Sequence, residues 1–431
     1  MPSKPIQLFG TIEAPAGIAK AMLCVDSDRP DEYMIHSWGL EKSVAFLFDA
    51  AEGADGVISL KAKGLLRPAE NGALFFPSLN KDELAVLAAL TATLRRESGS
   101  LRGTWCAPDG IERALELNPG PVGTPLVAAV CNSWTEFKQW AAQSRQTLDA
   151  AYFRGHGSSA FELTTSLHRA GRSRLDRYCA ETLQQFHAQA EAALDMRLNM
   201  NDGADYAVVL GLGQHHGLPT PLLDWTESPY IAAFFAFADA LEGAAFRSDA
   251  THVRIFALTR KFVSGASPSQ VVLPYISPYA CALDIVPRHN QRLLAQQGRF
   301  LVTNVVNLEL FISGIAAELG EKLLHAIDIP ISAASEALED LAYMGVTAAT
   351  MFPGLDGICR KLRHQMAFSR RPMPEAGKPA GELAHGVEDG GAEQGQRKDA
   401  AAPPDPGAAL TPAKKRAPRK KQAPTAEAKG A

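Results

Sequence analysis

Between Gly213 and Phe237 the chain reads GQHHGLPTPLLDWTESPYIAAFFAF, and Leu218-Pro219-Thr220-Pro221 near its centre permits little but an extended passage. Each proline fixes its own φ, removes a donor and pushes the residue before it out of the helical region. The passage therefore separates two helices, ADYAVVLGL, which Gly217 ends, and the apolar run that begins at Pro229. Asp224, Trp225, Thr226, Glu227 and Ser228 fall together just before that run. Thr226 or Ser228 is placed to cap the second helix, with Pro229 at its first position, so part of this polarity has a structural purpose. Trp225 reads as a core side chain whose indole N–H needs a partner.

A second unusual stretch, AYFRGHGSSAFEL, sets Arg154 between Phe153 and Gly155 at the end of a short strand, DAAYFRG. A guanidinium fork pairs two oxygens of a phosphate or carboxylate at once. Gly155 and Gly157 allow close approach to the backbone and leave amide donors exposed. Two readings stay open for Arg154: an anion clamp, or an arginine salt-bridged to Glu162 or Asp224 that locks the loop. In a third stretch, PRHNQRLLAQQGRFLV, Arg292, Gln296 and Gln297 stand before Gly298 and a strand. They face a cleft there, or a glutamine is tied to backbone amides.

Several chemistries are excluded by spacing. His215 and His216 are adjacent and cannot chelate from one helix face, and there is no HExxH pattern, so no metal site is expected. The remaining route to a metal, a hydrolase centre, needs His215, His216 or His289 to meet Asp224. GLGQHHG fails as a dinucleotide fingerprint, and there is neither a G-x-S-x-G elbow nor a Walker loop. Six cysteines are spread with no CxxC pair, which reads as buried free thiols in a reducing compartment.

At 431 residues the chain implies two or three domains. Residues 1–118 alternate polar and apolar positions between turn residues, as in GVISLKAKG and SLRGTWCAPDGIERALEL, and predict a small β-rich domain. NKDELAVLAALTATLRRES reads as its single helix, capped by Asn80, and Trp105 as a core residue. LNPGPVGTP places a linker at 119–125. The second domain, 126–370, is α+β: NSWTEFKQWAAQSRQ carries a Ser133–Glu136 capping box, SRLDRYCAETLQQFHAQAEAAL predicts a long helix, HVRIFAL and GRFLVTNV predict strands, GEKLLHAIDIP a helix running into a strand, and SEALEDLAYMG a helix with Gly345 past its end. From residue 371 to 431 the composition cannot bury a core, which predicts a disordered tail, acidic and then basic. Its Lys414, Lys415, Arg416, Arg419, Lys420 and Lys421 would contact phosphate backbones without reading sequence, or simply keep the chain solvated. A net charge of −4 excludes a strongly basic body. No apolar run approaches the ~20 residues that cross a bilayer, and the first residues lack a signal-peptide core, so a cytoplasmic protein away from membranes is expected.

YFRGHG, QHHGLPTPLLDWTESPYIAAFFAF, AQQGRF and MFPGLDGI occur in the order seen in the FRG-domain family, and over roughly residues 130–365 the chain resembles it. The family usually has a basic residue where Pro221 stands, which puts a charge contact there in doubt. Such domains recur in bacterial and phage-related settings that suggest defence or toxin roles. More distantly, YFRG, WTESPYIAAFFA and QQGRF are similar to three stations of ADP-ribosyltransferases, and that resemblance implies a related core with NAD as substrate. It implies that Arg154 clamps NAD with Phe153 and Gly155 beside it. Thr226 and Ser228 would wall the nicotinamide-ribose site, and Gln296 or Gln297 would take the last station. A glutamine supplies no negative charge for a cationic transition state; Glu227 would supply the missing carboxylate. His215, His216, Asp224 and Arg292 complete the expected binding set. The activity implied is modification of a macromolecular target. The alternative is a non-catalytic nucleotide- or partner-binding module built on Arg154, His215 and Asp224.

Overall fold

The computed structural model describes residues 4–120, 125–243, 249–265, 273–283 and 291–368. The acidic and basic groups of the tail, Lys414 to Lys421 among them, and His289 lie outside the described residues.

The first nine strands are β1 (Ile6–Ala14), β2 (Gly17–Val25), β3 (Glu32–Trp38), β4 (Val44–Glu52), β5 (Val57–Pro68), β6 (Leu74–Phe75), β7 (Thr91–Glu97), β8 (Ser100–Cys106) and β9 (Glu112–Pro119). They run antiparallel in the order β4-β3-β2-β1-β9-β8-β7-β5-β6, and β4 also pairs with β5. That extra pairing closes eight strands into a barrel and removes its open edges. The inward residues, such as Leu23, Leu94, Leu101 and Leu117, form one apolar cluster.

Two sequence expectations change here. The helix predicted over NKDELAVLAALTATLRRES spans only Lys81–Ala89, closed by an Asn80–Glu83 capping box, and Thr91 begins β7. Ala92 and Leu94 face the core while Thr91, Thr93 and Arg95 face out, a period of two that barrel pairing rewards over helix propensity. Strand β9 continues to Pro119, the first residue of the predicted linker. Trp105 is half-buried, its indole donating to the Glu13 carbonyl and Arg113 lying over its ring.

The second sheet is mixed, in the order β10-β16-β13-β11-β12-β15-β14. Its strands are β10 (Ala129–Val130), β11 (Ala150–His156), β12 (Leu222–Thr226), β13 (His252–Thr259), β14 (Ala280–Leu283), β15 (Gly298–Thr303) and β16 (Leu324–Pro330), with only β10–β16 parallel. Alternate residues of β13 enter different cores. Val253, Ile255 and Ala257 pack with the helices Trp134–Thr147, Pro229–Gly243 and Ala334–Tyr343, whereas Phe256 and Leu258 pack with Leu308–Leu319. Helices thus cover both faces, and the molecule is a mixed α/β protein with an N-terminal β-barrel.

The remaining local expectations hold in part. Glu136 accepts from the Asn132 amide instead of the Ser133 amide, although Ser133 still caps the helix. The helical run after Arg174 contains a π-helical stretch at Tyr178–Leu183. Gly320, at φ 66°, ends the Leu308–Leu319 helix, so GEKLLHAIDIP holds a turn and β16 with no helix of its own. Strand β11 runs two residues past Arg154. Of the six thiols, Cys24, Cys131 and Cys281 are buried, whereas Cys359 is exposed. Burial pushes the Cys24 and Cys281 thiols up to about 12, which makes them poor nucleophiles.

The barrel and the second sheet belong to one compact unit. Fully buried Asp26 joins them: its Oδ1 accepts from the Ser173 and Arg174 amides, and its Oδ2 meets Arg177 at 3.1 Å. Burial pushes its carboxyl up, and those amides and guanidinium groups oppose the rise. Glu32 and Asp28 add ion pairs to Arg174 and Arg177. Asp26→Ala would leave two amides and a cation without their acceptor and is expected to cost about 3 kcal/mol in urea unfolding. Asp26→Asn keeps an acceptor and should cost clearly less; equal stability of Asp26→Ala and wild type would show that this junction is not held as described.

Candidate functional site

A cleft of about 1000 Å³ opens where β11, β12, β15 and the Pro229–Gly243 helix meet. The two glycines of FRGHG build its wall. A Cβ on Gly155 would lie 2.0 Å from the Ala232 carbonyl oxygen and 2.9 Å from the Ala236 Cβ, and one on Gly157 would lie 2.2 Å from Asp239 Oδ2. The space these glycines leave open is filled by the helix. Ala232, Ala236 and Ala240, spaced by four, form the small-residue ridge that rides on β11. That contact carries Phe235, Asp239 and Glu242 into the cleft wall.

Arg154 stands half-buried in the cleft. Its Nε donates to His156 Nε2 at 3.1 Å, and another guanidinium nitrogen donates to the Asp224 carbonyl. Neither salt-bridge partner expected from sequence is used: Glu162 pairs with Lys4 at 2.9 Å, and Asp224 offers its backbone. Burial disfavours the Arg154 cation, Asp224 offsets part of that, and Arg169 adds repulsion. The same burial, with Arg154 beside it, holds His156 neutral well below the ordinary histidine range. Arg169 and Arg292 also line the cleft, and among the described residues neither forms an ion pair. A site with several cations and few bound anions attracts a phosphate-bearing ligand.

Strand register aligns the three sequence stretches. Phe153 pairs with Thr226, and Thr226 pairs with Gly298, so the residues flanking Arg154, Ser228 and Gln297 meet on three adjacent strands. Thr226 Oγ1 donates to the Gln296 carbonyl at 2.8 Å and accepts from the Ser228 amide. Ser228 accepts from the Ile231 amide and caps the helix. Gln296 donates its side-chain amide to the Met351 carbonyl at 2.9 Å. Gln297, at φ 46°, forms the turn before β15 and accepts from the Glu227 amide.

The cleft wall therefore includes Arg154, Phe153, Gly155, His215, Asp224, Thr226, Arg292 and Gln296. It does not include His216, Glu227, Ser228 or Gln297. Glu227 is tied to Arg299 at 2.7 Å. His215 and His216 stack edge to face, and burial, with Arg292 nearby, holds His215 below its ordinary range. Trp225 is buried, as expected, but its indole N–H lacks a hydrogen-bond partner among the described residues.

Sequence reasoning missed the far wall. Arg292 and Arg360 both lie over the Phe352 ring, at 5.5 and 4.4 Å. Arg360 and His364, spaced by four on the Leu355–Phe368 helix, both bond Glu242. Burial pushes Glu242 up, but these two partners outweigh it and hold the carboxyl below its ordinary value. The i, i+4 spacing of Arg360 and His364 was the available signal, and Phe352 lies inside the MFPGLDGI motif. No cysteine lines the cleft. Among the described residues no three His, Cys, Asp or Glu side chains converge as a metal site, and no helix is long and apolar enough to cross a membrane.

Fold and cleft thus define a mixed α/β protein with a cation-lined cleft. The family model described as FRG domain matches residues 149–244, and the chain carries an FRG domain there. The match opens at β11 and closes at the end of the Pro229–Gly243 helix, so it holds Arg154, Asp224 and Thr226, while Arg292, Gln296 and Phe352 lie beyond it. No curated protein and no solved structure matches the chain.

Proposed function

We propose that the cleft binds NAD and supports transfer of its ADP-ribose to a macromolecule. The observation that carries this reading is the row Phe153–Thr226–Gly298, which sets the three transferase-like stretches side by side at one cleft. The cleft's size suits a dinucleotide. Arg154, fixed by His156 and the Asp224 carbonyl, is placed to pair with the diphosphate. Toxin or phage-defence action is the setting that the family resemblance attaches to such chemistry. The tail cations would add contacts to nucleic acid.

One observation favours a second reading, a binding module without turnover. Thr226 and Gln296 spend hydrogen bonds on each other and on Met351, as a purely structural network would. Incubation of the full chain with NAD, with and without cell lysate, separates the two. Nicotinamide release that rises with lysate and falls at least about 100-fold in Arg154→Ala supports transfer. NAD binding without release favours the module, and release untouched by Arg154→Ala contradicts the assigned clamp.

A further inference from the structure

ADP-ribosyl transfer develops positive charge at the ribose, and the glutamine at the third station carries none to offset it. Resting on the NAD reading above, we infer that Asp224 is the catalytic carboxylate, with Gln214 and Thr220 as its positioning residues. The other acids of the cleft are engaged otherwise. Glu162 is paired to Lys4 and Glu242 to Arg360 and His364, while Asp239 packs over Gly157. Asp224 is exposed to the cleft and forms no ion pair among the described residues. Its neighbours Arg154 and Arg169 act on it through space, without a direct contact to its carboxylate.

Asp224 is nonetheless held. Gln214 Nε2 donates to Asp224 Oδ2 at 2.8 Å. The polarity of that bond is set from behind. Thr220 is fully buried, its amide donates to Ser166 Oγ, and its Oγ1 accepts from the Leu222 amide. The hydroxyl's one proton goes to Gln214 Oε1, which leaves the Gln214 amide nitrogen facing Asp224. The extended Leu218–Pro221 passage brings Thr220 back beside Gln214, so the prolines serve this relay. Asp224 Oδ2 is thereby an acceptor, and no hydrogen bond to Oδ1 is found among the described residues, at a residue that lines the cleft.

In the step, the N-glycosidic bond of NAD breaks and its electron pair leaves on the nicotinamide ring nitrogen, which becomes neutral. A lone pair of the acceptor's oxygen or nitrogen forms the new bond to the anomeric carbon. The acceptor's proton passes to Asp224 Oδ1 and then to water. The ionised Asp224 carboxylate also stabilises the positive ribose as it forms.

Asp224→Asn keeps the shape and the Gln214 contact and removes the charge. Nicotinamide release should fall at least about 100-fold, while the NAD dissociation constant from calorimetry changes less than about threefold. Gln214→Glu would place a second carboxylate beside Asp224 and should move the acidic limb of kcat/KM upward by about one pH unit, which a purely structural role would not do. Wild-type release in Asp224→Asn, with release lost in Arg154→Ala, overturns the inference and leaves the NAD reading standing. Loss of NAD binding in Asp224→Asn makes Asp224 a binding residue and also overturns it. A wild type that neither binds nor cleaves NAD defeats both.

Discussion

A methyl group at Gly155 is expected to unseat the Pro229–Gly243 helix from β11. The added carbon would fall 2.0 Å from the Ala232 carbonyl oxygen, a backbone atom that no side-chain rotation can move. Ala236 closes the same space at 2.9 Å. Relief requires the helix to lift, and that helix contributes Ala232, Phe234, Ala236 and Phe237, all essentially buried, to the largest apolar cluster of the second sheet. We expect Gly155→Ala to cost about 3 kcal/mol or more and to lower the thermal midpoint sharply. It should also displace Phe235 and Glu242 from the cleft wall. An unchanged midpoint in Gly155→Ala would mean that strand and helix are not in this contact.

The second large effect is acid sensitivity. His36, His156 and His168 are buried, and burial is the main cause that holds all three below the ordinary histidine value of 6.5, His36 to about 4 and His168 to about 3. Arg154 adds to the effect on His156 and Arg169 to that on His168, while Asp176 opposes it on His36. Their folded-state values are depressed, so the unfolded chain binds protons that the fold does not. Stability is therefore full above the unfolded value and falls as the pH drops below it. Each histidine contributes at most about 1.4 kcal/mol per pH unit, so the three together reach about 4 kcal/mol per unit between pH 6.5 and the folded values. Asp26 and Glu309, whose carboxyls burial raises, offset part of this loss at the acidic end. Urea unfolding between pH 7.5 and 5 should show a steep decline below about 6.5. A flat profile would contradict neutral burial of these rings.

How much of this was legible in the sequence depends on distance along the chain. Short-range signals read well: Asn80 and Ser133 as caps, Pro229 opening its helix behind Ser228, and Gly345 past the end of Ala334–Tyr343. Register across β11, β12 and β15 then brought Arg154, Asp224, Thr226 and Gln296 to one cleft, although no pattern within any of the three stretches states their pairing. The misreadings came where tertiary contacts override a local pattern. Thr91–Glu97 has a helical reading that barrel pairing defeats. Gly155 and Gly157 read as room for a ligand, but their space belongs to a helix about eighty residues away in sequence. Arg169, Glu242, Phe352, Arg360 and His364 come from four separate segments, and only the fold assembles them.

Whether this cleft holds NAD through Arg154 is decided by titration calorimetry of the full chain with NAD. Saturable binding at one site per chain is expected, weakened at least about tenfold in Arg154→Ala while the thermal midpoint stays near that of the wild type. Absence of NAD binding to the folded wild type, or equal binding by Arg154→Ala, would contradict it.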